Sequence, residues 1–547
     1  PQENLVLLDG IKVYNVDHFF GFFSAFNANA IKSVDLYKGA FPSKYGGRLS
    51  SVIDLTGKVG SFNEIKGNLS VNFLSASGSI EIPFLKKFSF FASGRRSFTD
   101  LLQTSFFEKI FSQFDPEDDI ENLEPFIPTF NFYDFNSKLS FKPSKDDLIT
   151  FSFYRGEDNL DESSDTKRYQ YPNFGNIDKI EIIGDLDRIS RWGNEGYSFK
   201  WSRQWNPKFY NSLNVSYSKY YNFQDDSYFV DVRIPELDST IFDLSVILDQ
   251  DNSVQDFTAR YDAEIVSGKN NKFEFGAEYT KSEVDYLFVR DDTLNIIDTD
   301  QESKLYSAYI SYDLKSFKNL NVKIGLRGSR YGFNDKNYFS PRFQFDYSLT
   351  DKLKVKAGYG VHYQFVKKIV GEGVTSRSRD FWLLSEDNNV KVGKSTHYVA
   401  GLSYEIDAWL IDSEVFYKDV ENLTEFSLRY QNAGISSLFF TGSGTVKGFE
   451  TLLQKKIEKY TGWISYTYID AENIFPLLND GFSFTAPHTQ KNEFKIFNNY
   501  EINGWNFSVT FIYGSGEYFT EPSYKYDITL LDDSNITFIG VGPKNGS

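Results

Sequence analysis

The sequence has 547 residues, with 58 Lys and Arg against 75 Asp and Glu, which gives a formal net charge of −17. This negative balance argues against a nucleic-acid partner, because phosphate binding needs clustered Lys and Arg. The lack of cysteine excludes disulfides, thiolate metal sites and a cysteine nucleophile, and no apolar run reaches the roughly 18 residues of a transmembrane helix.

The first 64 residues are irregular and contain many Gly and Phe. Near their start, the run LVLLDG at residues 5–10 predicts a short buried strand followed by a turn. The sequence has no methionine, and it stops among turn-forming residues at 540–547. We therefore expect it to be part of a longer chain, with sequence missing at both ends.

From about residue 65 onward, apolar and polar residues alternate strictly, a period that predicts β-strands with one apolar and one polar face. In one such stretch the apolar face carries Phe339, Pro341, Phe343, Phe345, Tyr347 and Leu349. The opposite face carries Ser340, Arg342, Gln344, Asp346 and Ser348.

The connections between these strands alternate between short polar turns and long, often acidic loops. The long loops are predicted near residues 101–128, 158–190, 224–250, 289–300, 367–393, 423–443 and 473–487. Short turns on one rim and long loops on the other, with strands of roughly 9–11 residues, are typical of a transmembrane β-barrel. We count about 19 strands, and because bacterial barrels close with an even number, we expect one or three more.

A soluble protein with several half-solvated sheets is the alternative that the alternation allows. Aromatic residues near the strand ends favour the membrane barrel, because aromatic girdles mark membrane interfaces. Examples are Tyr217, Tyr220 and Tyr221, and Tyr466 and Tyr468.

Three segments of the first 64 residues occur in the order found in the second half of a plug domain. They are LLDGIKV at 7–13, AIKSVDLYKG at 30–39 and FPSKYGGRLSSVIDL at 41–55, and here the chain resembles TonB-dependent outer-membrane receptors. NVDHFFGFFSAFN at 15–27, YGGRLSSV and SGRRSFTD at 93–100 resemble the receptors of Bacteroidota that carry a carboxypeptidase-like regulatory domain.

This resemblance implies an all-β transmembrane antiparallel barrel, about 19 of 22 strands of which are present, with the C-terminal half of a plug domain. Residues 1–64 would be the plug and residues 65–547 the barrel. The energy-coupling box, signal peptide, regulatory domain and first half of the plug would precede Pro1, and three strands would follow Ser547. The implied location is the cell outer membrane, as a multi-pass protein.

The same resemblance implies three partners. They are outer-membrane lipid with lipopolysaccharide, the TonB complex, and a small solute such as an iron chelate, cobalamin, an oligosaccharide or a peptide. We expect no cofactor and no nucleic-acid partner.

Residues 14–26 follow the LLDG strand and should form an apical loop that faces the outer vestibule. Aromatic faces with a few polar tips suit the capture of a drug-sized ligand, although part of the phenylalanines could simply pack against the barrel wall. His18 could contact a metal or an anion, or be an ordinary hydrogen-bonding residue. The candidate ligand-binding residues are Tyr14, Asn15, Asp17, His18, Phe19 and Phe20.

In YGGR, Gly46 and Gly47 permit a tight turn, and we expect Arg48 to contact the barrel, as the partner of a carboxylate, unless it is simply solvated. Charged residues predicted to face the lumen would give the plug a polar seat. They are Arg260, Asp262, Glu264, Glu274, Glu278, Lys323, Arg327, Arg342 and Asp346. The acidic loops near 157–165 and 291–302 could bind cations, bridge lipopolysaccharide through divalent ions, or be merely solvated.

Active import driven by TonB is therefore the predicted function. Passive diffusion is disfavoured by the plug, whereas a surface receptor or adhesin that binds without importing stays open. We expect no catalytic residues and no metal site, because His18, His362, His397 and His488 lack metal-ligand spacing and no G-x-S-x-G elbow is present. The solute is not predictable, since loop surfaces and not the fold determine it.

Overall fold

The computed structural model describes residues 3–19, 21–101, 128–170, 180–234, 239–268, 271–317, 319–370, 380–426, 438–487, 489–516, 518, 522–529 and 535–541. Within them the chain is all-β, with two short 3-10 helices at Ala28–Ala30 and Asn479–Gly481. None of the helices in this part of the chain is long and apolar enough to cross a membrane.

The strands are β1 (Leu5–Leu8), β2 (Ile11–Lys12), β3 (Asp17–His18), β4 (Phe23–Ser24), β5 (Ile31–Tyr37), β6 (Val52–Gly57), β7 (Lys66–Val71), β8 (Ser75–Phe84), β9 (Phe88–Ser97), β10 (Thr129–Phe141), β11 (Asp147–Asp161), β12 (Ser164–Gln170), β13 (Ile180–Asn206), β14 (Phe209–Ile234), β15 (Ser239–Ser267), β16 (Asn271–Arg290), β17 (Leu294–Phe317), β18 (Leu320–Tyr331), β19 (Lys336–Ser348), β20 (Leu353–Gln364), β21 (Val366–Ile369), β22 (Phe381–Leu384), β23 (Gly393–Ile406), β24 (Trp409–Phe426), β25 (Phe439–Ile457), β26 (Tyr460–Ile474), β27 (Phe484–Thr485), β28 (Asn492–Ile502), β29 (Trp505–Gly514), β30 (Pro522–Thr529) and β31 (Asn535–Val541).

Residues 3–64, here called the plug segment, contain a small sheet in the order β2-β1-β6-β5. The turn between β1 and β2 is Asp9-Gly10, and both residues have positive φ, at 54° and 89°. Two positive φ angles are the signature of the type I′ hairpin turn, for which Asp-Gly is a preferred pair. The LLDG motif is therefore a strand followed by a tight hairpin turn.

The strands that follow form one large antiparallel barrel. Its order contains 21 strands, of which β12 continues the pairing of β11 along β13, and β27 is a two-residue strand beside β26. In the described part of the chain, nineteen strands thus form the wall, in agreement with the roughly 19 that the alternation predicts. The last and first of them, β29 and β7, are neighbours around the barrel, and every residue of both is exposed.

The two faces of the wall differ as the alternation predicts. On β19, Ser340 and Arg342 are buried toward the plug segment, whereas Phe339, which is 61% exposed, and Phe343 point outward. On β15, Asp256 is buried and Phe257 is 43% exposed. An apolar outer face that surrounds a polar interior is the arrangement of a barrel immersed in lipid.

The structure corrects the prediction of loops at 158–190 and 224–250. The strands β13, β14 and β15 are 27, 26 and 29 residues long and run through much of those ranges. Their lengths are far greater than the roughly 9–11 residues that a strand needs to cross a membrane. Each additional residue lengthens a strand by about 3.3 Å. Backbone hydrogen bonds between strands do not require lipid, so the pairing continues past the membrane-spanning length. The wall therefore extends well beyond the membrane on the rim where the sequence predicts long loops.

The range 367–393, also predicted as a loop, contains the pair β21 and β22. We call these two strands the strap. Residues 371–379 between them lie outside the described part of the chain. Unlike the wall strands, β21 and β22 form a separate two-stranded sheet, and their side chains are largely buried.

Candidate functional site

Wall side chains hold the first turn of the plug segment by donating to its backbone. Ser198 Oγ and Asn214 Nδ2 donate to Asp9 O at 2.7 and 3.2 Å, and Ser216 Oγ donates to Gly10 O at 3.0 Å. A Cβ on Gly10 would lie 2.6 Å from Asn214 Oδ1. Glycine is therefore required here both for its φ and for the close approach of the wall.

A second anchor is Arg342, which is buried on β19. Its Nη1 donates to Phe41 O at 2.7 Å and to Pro42 O at 2.6 Å, and its guanidinium lies 4.4 Å from the centre of the Phe41 ring. Beside it, Gln344 Nε2 donates to Ala40 O at 2.8 Å. Both residues belong to the face that the sequence predicts to be turned to the lumen.

The two glycines of YGGR meet different constraints. Gly47 has a φ of +82°, which side chains rarely adopt. A Cβ on Gly46 would lie 2.5 Å from Nε of Arg327, whose Nη1 donates to Lys44 O at 3.3 Å. Gly47 is thus needed for its φ, and Gly46 for the close approach of Arg327 on the wall.

The charged wall residues next to this turn pair with one another around a cavity of about 250 Å³. Arg327 Nη2 lies 2.6 Å from Glu278, and Lys323 Nζ lies 2.6 Å from Glu274. The cavity is lined by Arg260, Asp262, Glu264, Glu274 and Glu278 from the wall and by Asp9, Lys12, Lys44, Arg48 and Asp54 from the plug segment. Next to the YGGR turn, the plug segment is therefore packed against polar and charged groups of the wall and not against an apolar core.

The apical loop, residues 14–26, begins with a clasp to the wall. Asn194 Oδ1 accepts from the backbone N–H groups of Tyr14 and Asn15 at 2.9 and 3.1 Å, and its Nδ2 donates to Asn15 O at 2.8 Å. The side chain of Asn15 turns back and donates to Asp17 O at 2.7 Å. The side chain of Asn15 thus stabilises the conformation of the loop.

Tyr14 and Arg48 come together against the strap. The Tyr14 hydroxyl donates to Asp256, and burial raises its pKa well above the ordinary value, so it stays a donor. The guanidinium of Arg48 lies 5.3 Å from the centre of the Tyr14 ring and 5.4 Å from that of Trp382. Its Nη1 donates to Val366 O at 3.4 Å. Arg48 therefore contacts residues beyond the plug segment, but through a carbonyl and a ring and not through the predicted carboxylate.

His18 is only 1% exposed and lies between two buried carboxylates of the wall. Its Nδ1 is 2.7 Å from Asp158 Oδ2, and its Nε2 is 3.8 Å from Asp134 Oδ2, which also accepts from Arg95 Nε at 2.6 Å. Burial lowers the pKa of His18, but the hydrogen bonds and charges of Asp134 and Asp158 outweigh it, and the net shift is upward. The two carboxylates thus make His18 a link between the plug segment and the wall, and they hold its pKa above the ordinary value.

The phenylalanines of the loop divide into a buried and an exposed group. Phe19 is buried among Phe130, Phe132, Leu74 and Leu160 of the wall. Phe22 is 46% exposed, and it lies with Gly21 and Ser24 at the exposed tip of the loop. Phe20 lies outside the described residues. Packing against the wall thus accounts for Phe19, whereas ligand contact by the loop stays a prediction.

Sequence reasoning missed the wall residues that complete these contacts: Arg95, Asp134, Asp158, Asn194, Asp256 and Trp382. Asp158 is 140 residues from His18 in the chain, so only the strand order and register bring the two together. Alternation predicts which residues of one strand share a face, but it carries no information about which plug residue they meet.

Two further histidines lie together on the wall, with ring centres 4.5 Å apart at His362 and His397. Both are fully buried, and the ring of His362 lies 4.1 Å from that of Phe41. His488 is outside the described residues. In the part of the chain that the structure describes, no group of three or more His, Cys, Asp or Glu is arranged to hold a metal ion.

Comparison with protein families gives a match over most of the chain. The family described as TonB dependent receptor-like, β-barrel, matches residues 129–538. The comparison with curated proteins gave no match.

Solved structures share the fold at low sequence identity. A mutant of the ferric enterobactin receptor PfeA of Pseudomonas aeruginosa aligns with a TM-score of 0.65 at 15% identity, over 95% of this chain and 79% of that one. The siderophore receptor PirA of Acinetobacter baumannii gives 0.61 at 14%, over 93% and 78%. The P. aeruginosa receptor FpvA, bound to a heterologous pyoverdine, gives 0.62 at 12%, over 98% and 72%.

Proposed function

The chain belongs to the family of TonB-dependent receptor β-barrels, whose members are outer-membrane transporters and not enzymes, and on this premise we propose that it captures a scarce solute at the cell surface. The solute is then imported into the periplasm with energy transmitted by TonB.

The observation that carries this proposal is the chemistry of the plug seat. Wall side chains donate to backbone carbonyls of the plug segment at Asp9, Gly10, Ala40, Phe41 and Pro42. Such hydrogen bonds exchange with water at a small net cost, about 1 kcal/mol each. A seat of this kind can open and re-form, as a transporter that moves one bound solute at a time requires.

We assign solute capture to the apical loop. Phe22 lies with Gly21 and Ser24 at the exposed tip and Asp17 is half-buried, whereas His18 and Phe19 are buried and position the loop. Tyr14, Asn15 and Phe20 complete the proposed set. An apolar ring beside a few polar groups suits a drug-sized ligand such as an iron chelate, cobalamin, an oligosaccharide or a peptide.

Ferric siderophores are the first solutes to test. The support is the fold shared with proteins described as a ferric enterobactin receptor and a siderophore receptor, and with FpvA bound to heterologous pyoverdines. The finer kinship with Bacteroidota receptors carrying a carboxypeptidase-like domain also belongs to the proposal, and its support is the sequence NVDHFFGFFSAFN with YGGRLSSV. Contact with lipopolysaccharide is proposed from the apolar outer face and the long wall beyond it.

The test uses the full receptor expressed in outer membranes, with radiolabelled ferric enterobactin, ferric pyoverdine and cobalamin as separate probes. Import predicts accumulation that stops when a protonophore collapses the proton-motive force or when TonB is deleted. Surface binding that persists under both conditions without accumulation would instead favour a receptor that binds without importing. Failure of every probe to bind would contradict capture of these solute classes.

A further inference from the structure

The strap enters the lumen from the wall, although its neighbours in sequence are the wall strands β20 and β23. Within the described residues its strands pair with each other, from Val366 opposite Leu384 to Ile369 opposite Phe381. The side chains of the strap pack onto the inner faces of β15, β16 and β17, which lie elsewhere around the barrel. The strap thus spans the lumen above the plug segment.

Amide side chains fasten the strap backbone to the wall. Asn252, which is fully buried on β15, accepts from Trp382 N–H at 2.7 Å and donates to Trp382 O at 3.1 Å. On β17, Gln301 Oε1 accepts from Leu384 N–H at 2.9 Å. The strap is therefore held by wall side chains and not by the backbone ladder, so it could leave without breaking any pairing of the wall.

Apolar packing completes this attachment. Phe381 stacks on Tyr286 with ring centres 4.1 Å apart. The buried cluster around it contains Tyr286, Phe288, Ile297, Ile369, Phe381, Leu383, Val390, Phe426 and Leu438. Members of this cluster come from β16, β17 and β24 as well as from the strap, so the strap is packed against several wall strands at once.

On its other face the strap contacts the plug segment. Trp382, which is 2% exposed, lies edge-on to Tyr14 with ring centres 4.8 Å apart. The same indole covers the guanidinium of Arg48, which donates to Val366 O. Lys368 lies close enough to Asp17 to oppose the rise in pKa that burial causes at that carboxyl. Both strap strands thus contact the apical loop or the YGGR turn.

From this geometry we propose that the strap clamps the plug segment in its seat through Trp382, and that the solute reaches Tyr14 only after the strap is displaced. The second part rests on the proposed function, because it assumes that Tyr14 contacts the solute. The clamp itself does not depend on any solute. Trp382 packs against the half-buried ring of Tyr14, whereas Phe22 at the tip of the apical loop is 46% exposed, so first contact and full engagement of a solute occur at different places.

The clamp is tested by potassium chloride conductance across planar bilayers that contain the complete receptor, with urea added stepwise. The plug segment blocks the lumen until urea releases it. Trp382→Ala and Asn252→Ala should each bring conductance on at a urea concentration about 1 M lower than the unmodified receptor. Trp409→Ala is the matched control, since it removes an indole that is 40% exposed on the wall. The clamp is overturned if conductance begins at an unchanged urea concentration in both Trp382→Ala and Asn252→Ala. It is also overturned if Trp409→Ala shifts that concentration equally.

A cross-link tests the displacement. Because the chain has no cysteine, Gln301→Cys with Leu384→Cys can be joined by a short bifunctional thiol reagent. The control pair is Ser307→Cys with Ser329→Cys, whose hydroxyls lie 2.8 Å apart on two wall strands. Joining the strap should delay conductance to higher urea and stop accumulation of radiolabelled ferric enterobactin, whereas the control pair should change neither.

Accumulation that continues through a joined strap would overturn the displacement step. If the unmodified receptor accumulates none of the probes of the proposed function, that function fails instead, and the conductance measurements still decide whether the clamp exists.

Discussion

The plug segment meets the wall in two regions that are built differently. Around Asp9 and Phe41, the wall supplies side chains and the plug segment supplies mainly backbone carbonyls. Around Tyr14 and His18, plug side chains take part as well: the Tyr14 hydroxyl donates to Asp256, and the buried His18 pairs with Asp158. The first region tolerates changes in plug side chains, because a carbonyl is present whatever the residue. The second depends on the residues themselves, and it adjoins the exposed tip at Phe22, where the proposed solute makes its first contact.

The largest effect should follow deletion of residues 14–26. This removes the exposed tip at Phe22 and the clasp to Asn194, so we expect binding of the radiolabelled probes to fall below detection. The sheet of β1, β2, β5 and β6 keeps its own pairing. The barrel should still assemble and still show heat-modifiable migration on denaturing gels. Binding that survives the deletion would contradict the assignment of capture to the apical loop.

The wall was predictable from sequence because the alternation of apolar and polar residues within each strand is a local pattern. Alternation at residues 339–349 needs no information from the rest of the chain, and Asp9-Gly10 encodes its own turn. The strap was not predictable. Its contacts depend on Asn252, 130 residues from Trp382, and nothing in either segment marks the other as a partner.

The sequence assigns an apical loop to residues 14–26 from its place after the LLDG strand, and that assignment stays a prediction. The structure shows this segment in contact with Asn194 and Asp158 of the wall. Its burial was not foreseen. In the sequence, His18 and Phe19 are adjacent residues in a run rich in aromatic side chains, and nothing there indicates burial. The register of β10 and β11 places Phe130, Phe132 and Asp158 around them.

In the side-chain-specific region, His18→Ala should weaken the seat by about 3 kcal/mol, because it leaves Asp158 buried without its partner. In the bilayer assay the variant should conduct at markedly lower urea. The charged groups around this site are Asp17, Asp134, Asp158 and Arg95.

The same residue predicts a pH dependence. The pKa of His18 is raised in the seat, so its contribution is fully present below the free imidazole value of about 6.5 and is lost as pH rises through the raised value. Unmodified receptor should therefore release its plug segment more easily at alkaline pH, and His18→Ala should lack this component. An equally steep pH profile in both proteins would show that another group is responsible.

In the carbonyl-based region, Arg342→Ala should cost about 2 kcal/mol, because the carbonyls of Phe41 and Pro42 lose their donor in a buried site. Arg342→Lys should recover part of this, since an ammonium can still donate to one of them. By contrast, Pro42→Ala keeps the carbonyl and should change the urea onset little. If Pro42→Ala shifted the urea onset of conductance as far as Arg342→Ala, the proposed difference between the two regions would be wrong.

The smallest effect compares glycines in the two regions. Gly47 and Gly21 have φ angles of +82° and +93°, and a Cβ on either would meet nothing within 4 Å. Alanine at each therefore adds only backbone strain, about 1 kcal/mol. At Gly47 the strain falls on the YGGR turn that the wall holds, so conductance should begin at slightly lower urea. At Gly21 it falls on the exposed tip, where we expect weaker probe binding at an unchanged urea onset. A shift of onset by Gly21→Ala as large as that of Gly47→Ala would mean that the tip, too, helps to hold the plug segment in its seat.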